Sequence, residues 1–143
     1  MPASMLLGCP QVRLLAASLS GGLGVVMGAL GAHAFLDLMS QEELKLYQDA
    51  NQGHLIHSVI LYLIGFVLVQ RERAVGSDAA AAAKLGYLRL SYDALFLGMS
   101  GLALSRYVHC TVHKPDWLPR IVLPASHVLL TVGWGLLTVY ALM

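Results

Sequence analysis

Charge is scarce in this chain. Of 143 residues, only 12% are charged while 57% are hydrophobic. That balance lies far outside the soluble range and excludes a water-bathed globule. A net charge of +1 gives no basic field for nucleic acid and no acidic tail for a cationic partner. Lipid is therefore the partner class that composition nominates, and nucleic acid is not expected. Cysteine is rarer still, with Cys9 and Cys110 the only two. The chain also lacks a phosphate-binding loop, a Ser-His-Asp order, a C-x-x-C pair and paired carboxylates. No catalytic constellation offers itself, so neither an enzyme nor a metal centre is expected.

What the chain has instead is long apolar runs. A helix needs ~20 residues to cross ~30 Å of hydrocarbon, and four stretches approach that length: 14–36, 50–70, 88–108 and 121–143. The first, second and fourth contain no charged residue, whereas the third carries Arg89, Asp93 and Arg106. Arginines near span ends can snorkel to the surface, so the third still counts. The expectation is an all-α membrane protein, a single four-transmembrane-helix bundle over residues 1–143. The first run, at 23 residues, outlasts the core of a cleaved signal, so "AHA" at 32–34 is not read as a cleavage site. Arg13 is the sole charge before Asp37, which leaves out an arginine-rich transit peptide.

The links carry helix punctuation. Ser40 three before Glu43 forms a capping box that starts a helix running into span two, with Gly53 as a bend point. Ser77 caps a third helix that opens on five alanines near Asp78. Pro115 and Pro119 close that helix and set up the fourth, beside an interfacial Trp117. Arg13 and the four basic residues of 71–89 oppose Lys45, Arg106, Lys114 and Arg120, which favours both termini on the cytoplasmic or matrix side. Cys9 and Cys110 then fall on opposite sides of the bilayer and cannot pair.

Polar residues within the spans are the remaining signals. His33, His54, His57 and His127 all fall near one surface by this topology, as do His109 and His113. Asn51, His54 and Ser58 follow i, i+3, i+7 and share a helix face, with His57 about 60° aside. Facing imidazoles can hold haem, zinc or a quinone, but a helix-packing role is the favoured reading, and no carboxylate in the span fixes a tautomer. Asp93 costs ~2.5–3.5 kcal/mol in hydrocarbon unless paired, and Arg89, four residues earlier, is the nearest partner. Ser20, Gly24, Gly28 and Ala32 repeat every four residues, a ladder that lets helix backbones approach. Gly98, Gly101 and Ser105, with Thr131 and Gly135, offer similar surfaces, so little room for a substrate cavity is expected.

In order and spacing, "SGGLGVVMGALGAHAF" (20–35), "LYQDANQGHLIHSVILYLIG" (46–65) and "LPASHVLLTVGWGLL" (123–137) resemble the transmembrane protein 256 family. Its bacterial relatives are known as domain of unknown function 423. The shared residues are Gly31, Ala32 and His33; Tyr47, Ala50, Asn51, His54, His57 and Ser58; and Pro124, Gly133 and Trp134. Span three, "MSGLAL" at 99–104, departs from the family pattern. The resemblance implies a small four-helix integral membrane protein, mitochondrial in eukaryotes, without an established enzymatic activity. The function expected from residues and resemblance together is a non-catalytic accessory or assembly subunit of a larger inner-membrane complex, with the mitochondrial respiratory chain as the expected setting. Its partners would be membrane lipids and the other subunits. The alternative is a haem b- or quinone-binding anchor built on His33, His54, His57 and His127. Asp93 would then be a packing or partner contact alongside the small-residue ladder.

Overall fold

A computed structural model of the chain describes residues 8–75, 78–112 and 117–143. These form four helices and, among the described residues, no strand: α1 (Pro10–His33), α2 (Gln41–Ala74), α3 (Ala79–Thr111) and α4 (Trp117–Leu142). By length and composition α1, α2 and α4 can each cross a membrane. Helix α3 is as long but carries Lys84, Arg89, Asp93 and Arg106.

Local chemistry explains the boundaries. Pro10 opens α1, where its missing N–H costs no helical bond. The capping box of α2 forms as its sequence demands: Glu43 N–H donates to Ser40 Oγ (3.3 Å) and Ser40 N–H to Glu43 Oε2 (2.8 Å). Helix α2 runs through Gly53 without interruption. Asp78 caps α3, its Oδ1 accepting from Ala80 N–H (2.9 Å) and Ala81 N–H (3.2 Å). Ser77, the expected cap, lies outside the described residues, as do His113, Lys114 and Pro115. Pro119 sits in the first turn of α4, and Pro124 is carried inside the same helix.

Each helix packs antiparallel to its neighbour in sequence: α1 on α2, α2 on α3, α3 on α4. Glycine sets the closeness of the two outer contacts. A Cβ built on Gly28 would lie 2.8 Å from Asn51 Oδ1, one on Gly24 2.9 Å from Leu55 Cδ2, and one on Gly31 would overlap the Tyr47 ring. On the other side, a Cβ on Gly98 would lie 2.9 Å from both the Leu130 nitrogen and the Ser126 carbonyl oxygen. The buried line of α1 is Ala17, Gly24 and Gly31, at seven-residue spacing. Ser20 and Gly28 flank that line, whereas Ala32 is turned outward. The four-residue ladder thus holds for three of its members, and Gly31 takes the fourth place.

The core has two parts: Leu61, Leu68, Leu88, Tyr92, Leu95 and Met99 meet around the middle of α3, and Tyr47, Ala50, Ala103 and Tyr107 meet toward the 33–41 loop. Between α1 and α3 the main bond is ionic. Arg13, with 0% exposure, grips Asp93 in a two-pronged pair, Nε to Oδ1 and Nη2 to Oδ2, both at 3.1 Å. Its Nη1 also donates to the Gly8 carbonyl (2.9 Å). The Tyr92 ring stands 5.8 Å from the guanidinium, and its hydroxyl donates to the Arg13 carbonyl. Arg89, the partner expected for Asp93, instead bonds Glu72 across α2 at 2.7 Å. One turn of helix separates Arg89 from Asp93, but α3 buries Asp93 toward α1 and leaves Arg89 on the α2 side, beside Glu72 in the last turn of α2.

Two predictions come from this packing. Asp93→Ala strands the buried guanidinium and is expected to cost ~3–5 kcal/mol, while Arg13→Met with Asp93→Leu recovers most of that; thermal unfolding in detergent measures both, and a loss below ~1 kcal/mol for Asp93→Ala would contradict a desolvated pair. Gly98→Ala forces α3 and α4 apart and should cost ~1–3 kcal/mol. By contrast, Gly22→Ala and Gly135→Ala, where nothing lies within 4 Å, should be neutral or stabilising by up to ~1 kcal/mol. Equal effects at all three glycines would refute close approach as the role of Gly98.

Candidate functional site

The densest polar cluster joins α1, α2 and α3 around His54. The i, i+3, i+7 face of α2 places Asn51, His54 and Ser58 together, and each reaches both neighbouring helices. Asn51 Nδ2 donates to the Gly24 carbonyl (2.7 Å) and to the Tyr107 hydroxyl (3.0 Å). His54 is buried with Nδ1 3.1 Å from the Tyr107 hydroxyl and Nε2 2.9 Å from Ser20 Oγ. Ser20 meets Ser58 at 3.2 Å, and both hydroxyls face Met99 Sδ, at 3.9 and 3.7 Å. One turn away, Tyr47 donates to the Met27 carbonyl (2.8 Å) and packs on the Tyr107 ring at 4.9 Å.

Hydrogen-bond accounting fixes the direction of this chain. With His54 protonated on Nε2, Asn51 donates to Tyr107, Tyr107 to His54 Nδ1, His54 to Ser20, Ser20 to Ser58 and Ser58 to the Met99 sulfur. Every polar hydrogen in that series then finds an acceptor. With the proton on Nδ1, the Tyr107 oxygen would receive two donors and its own hydrogen would have no acceptor among the described residues. An unanswered hydroxyl in a dry interior costs ~1–3 kcal/mol, so Nε2–H is the tautomer the surroundings select.

The other singled-out histidines lie elsewhere. His57 points away from this cluster, its Nδ1 2.8 Å from the Gly53 carbonyl and its ring edge-on to Trp134 at 6.5 Å. His127 is exposed on α4, bonding the Leu123 carbonyl at 2.6 Å. His33 ends α1, exposed, nine residues beyond Gly24 and so ~13 Å further along the helix than the level of His54. The four histidines are not one layer: they occupy four different surroundings and no two face each other. Haem would need a vacant imidazole nitrogen, and both of those on His54 are engaged with Tyr107 and Ser20. Among the described residues no three His, Cys, Asp or Glu side chains converge as a metal site. Asp93 has both carboxylate oxygens on Arg13.

Beside the cluster lies a feature that the sequence reading did not anticipate, a groove of about 440 Å³ between α1 and α3. Ser20, His54 and Tyr107 reach it from below, and Ser100 lines it. Tyr107, Met99 and Arg13 were likewise missed. Arg13 was legible in principle, because spans one and three run the same way and so place residues 13 and 93 at one end.

A family model described as Protein of unknown function (DUF423) matches residues 27–134. That stretch includes Asn51, His54, Ser58, Met99 and Tyr107, but not Arg13 or Ser20. No curated protein matches the chain, and no solved structure does.

Nitrogen-15 NMR of histidine-labelled protein should show His54 as the Nε2–H tautomer, and Tyr107→Phe should cost ~1–3 kcal/mol by leaving Nδ1 unanswered. A His54 signal protonated on Nδ1 would overturn the directional chain.

Proposed function

We propose that this chain, which belongs to the DUF423 family of proteins of unknown function, is a four-helix integral membrane protein acting as a non-catalytic accessory or assembly subunit of a larger inner-membrane complex. The observation that carries this reading is where the polar groups go. Asp93 is neutralised by Arg13, Ser91 donates to the Gly133 carbonyl at 2.7 Å, and His54, Asn51, Ser20 and Tyr107 bond one another. Chemistry of that kind fastens helices, and among the described residues it leaves no pair of carboxylates or activated nucleophile to drive a reaction.

The same pairing supports α3 as the fourth span. A charge that is compensated inside the bundle does not have to be kept out of the hydrocarbon, and α3 is the helix packed by both α2 and α4. Outward, α1 presents Leu15, Leu19, Leu23 and Val26, and α4 presents Ile121, Val128, Val132 and Trp134, all substantially exposed. Such faces suit lipid or the helices of a larger assembly. Resemblance to the transmembrane protein 256 family supports the mitochondrial inner membrane and the respiratory chain as the setting.

Extraction in mild detergent followed by a native gel and mass spectrometry of the bands tests the proposal. Co-migration with a large membrane complex is the expected result. Migration only as the free 15.4 kDa chain would sink the subunit reading.

A further inference from the structure

Antiparallel packing gathers the start of α1, the end of α2, the start of α3 and the end of α4 at one end of the bundle. Basic side chains concentrate there: Arg13, Arg71, Arg73, Lys84 and Arg89. Two of them are answered, Arg13 by Asp93 and Arg89 by Glu72. Arg71, Arg73 and Lys84 have no carboxylate within ion-pair distance among the described residues. Arg71 and Lys84 both line a cavity of about 350 Å³, whose walls also include Val75, Asp78, Leu85 and Tyr140. Arg73, ~200° around α2 from Arg71, is not one of those walls.

The walls divide by chemistry. The Lys84 ammonium stands 5.1 Å from the centre of the Tyr140 ring, a cation–π contact that holds its charge at the seam of α3 and α4. The Arg71 guanidinium makes no hydrogen bond among the described residues, so its N–H donors are open to an acceptor. Asp78 is the acidic wall, and its Oδ1 is turned to the Ala80 and Ala81 amides of the first turn of α3. Val75 and Leu85 supply apolar surface.

Charge and apolar surface together select the occupant. Two unpaired cations against one capping carboxylate favour an anion, and a neutral lipid or bare acyl chain would leave both cations unanswered. A small soluble anion would use the cations but leave Val75 and Leu85 uncovered. On the reading of the chain as a membrane protein, on which this inference rests, these helix ends lie at headgroup level, where lipid phosphates are. We propose that the cavity binds the headgroup of an anionic phospholipid. Its phosphate sits between Arg71 and Lys84, its glycerol and upper acyl carbons lie against Val75 and Leu85, and its tails run on into the hydrocarbon.

The test uses the full chain in dodecyl maltoside micelles, with lipid adducts measured by native mass spectrometry. Dioleoylphosphatidylglycerol is expected to bind at least ~5-fold tighter than dioleoylphosphatidylcholine, whose choline cancels the phosphate charge. Arg71→Gln and Lys84→Gln should each weaken the phosphatidylglycerol adduct ~5-fold, the scale of one basic side chain at an anionic headgroup, while melting as the parent does. Arg71→Lys, which keeps the charge, should retain the preference for phosphatidylglycerol. Arg73→Gln removes the same charge from outside the cavity and should change binding by less than ~2-fold. Asp78→Asn keeps a helix cap and removes the acidic wall, so it should tighten binding ~2- to 5-fold. Equal binding of the two lipids, or equal losses at Arg71, Lys84 and Arg73, would overturn the site. Displacement of phosphatidylglycerol by millimolar glycerol phosphate would overturn its assignment to lipid. Alkaline carbonate extraction separates the two readings. A chain released from membranes defeats the membrane reading itself, and a chain retained there without a phosphatidylglycerol preference defeats the headgroup site alone.

Discussion

Arg13 and Asp93 meet through two parallel hydrogen bonds with water excluded from the guanidinium, and much of the bundle is arranged around keeping them together. Either charge alone in a low-dielectric interior would be a penalty of several kcal/mol. As a pair they fix the depth of α1 against α3, because a shift of one residue, ~1.5 Å, would break the two-pronged geometry. The Tyr92 hydroxyl on the Arg13 carbonyl reinforces the same register from one residue away. The pair also accounts for a helix whose charge count sets it apart. Helix α3 can lie between two apolar neighbours because its acidic group is answered by the first helix.

Close approach and polar satisfaction are one device in this protein. Several side-chain donors cross a helix boundary to a backbone carbonyl: Asn51 to Gly24, Tyr47 to Met27 and Ser91 to Gly133. Two of the three accepting residues are glycines that would collide with the facing helix if they bore a Cβ, and Met27 precedes another, Gly28. A missing side chain brings the helices together and uncovers the carbonyl that the neighbour bonds. Hydrocarbon gives no hydrophobic drive for association, so packing plus such bonds is what remains to hold the helices.

Sequence periodicity made the helices, the capping box and the shared face of Asn51, His54 and Ser58 legible, because each depends on spacing within one helix. What spacing could not supply is the rotation and depth of one helix against another. Asp93 has a sequence-local candidate in Arg89, yet the burial of α3 turns it to Arg13, 80 residues away. Ala32 continues a four-residue repeat, but a buried line at seven-residue spacing selects Gly31 and turns Ala32 outward. In the sequence the histidines fall near one set of span ends, a spacing that suggests one layer. Antiparallel docking of Gly24 beside His54 puts that residue a good distance deeper than His33.

The groove follows from the same asymmetry of contacts. Helix α1 spends its glycine face on α2 and touches α3 chiefly through Arg13, Tyr92 and the hydroxyl of Ser20 beside Met99. Above that level, nothing on α1 matches the face of α3 that carries Ser100 and Leu104, so the two helices leave a slot between them. On that face of α1, Leu19 and Leu23 alternate with the small Ala16 and Ser20, and the two leucines stand at the slot. Branched, outward-leaning side chains keep the slot open toward lipid. Beneath this almost wholly apolar slot, His54 is satisfied by Ser20 and Tyr107.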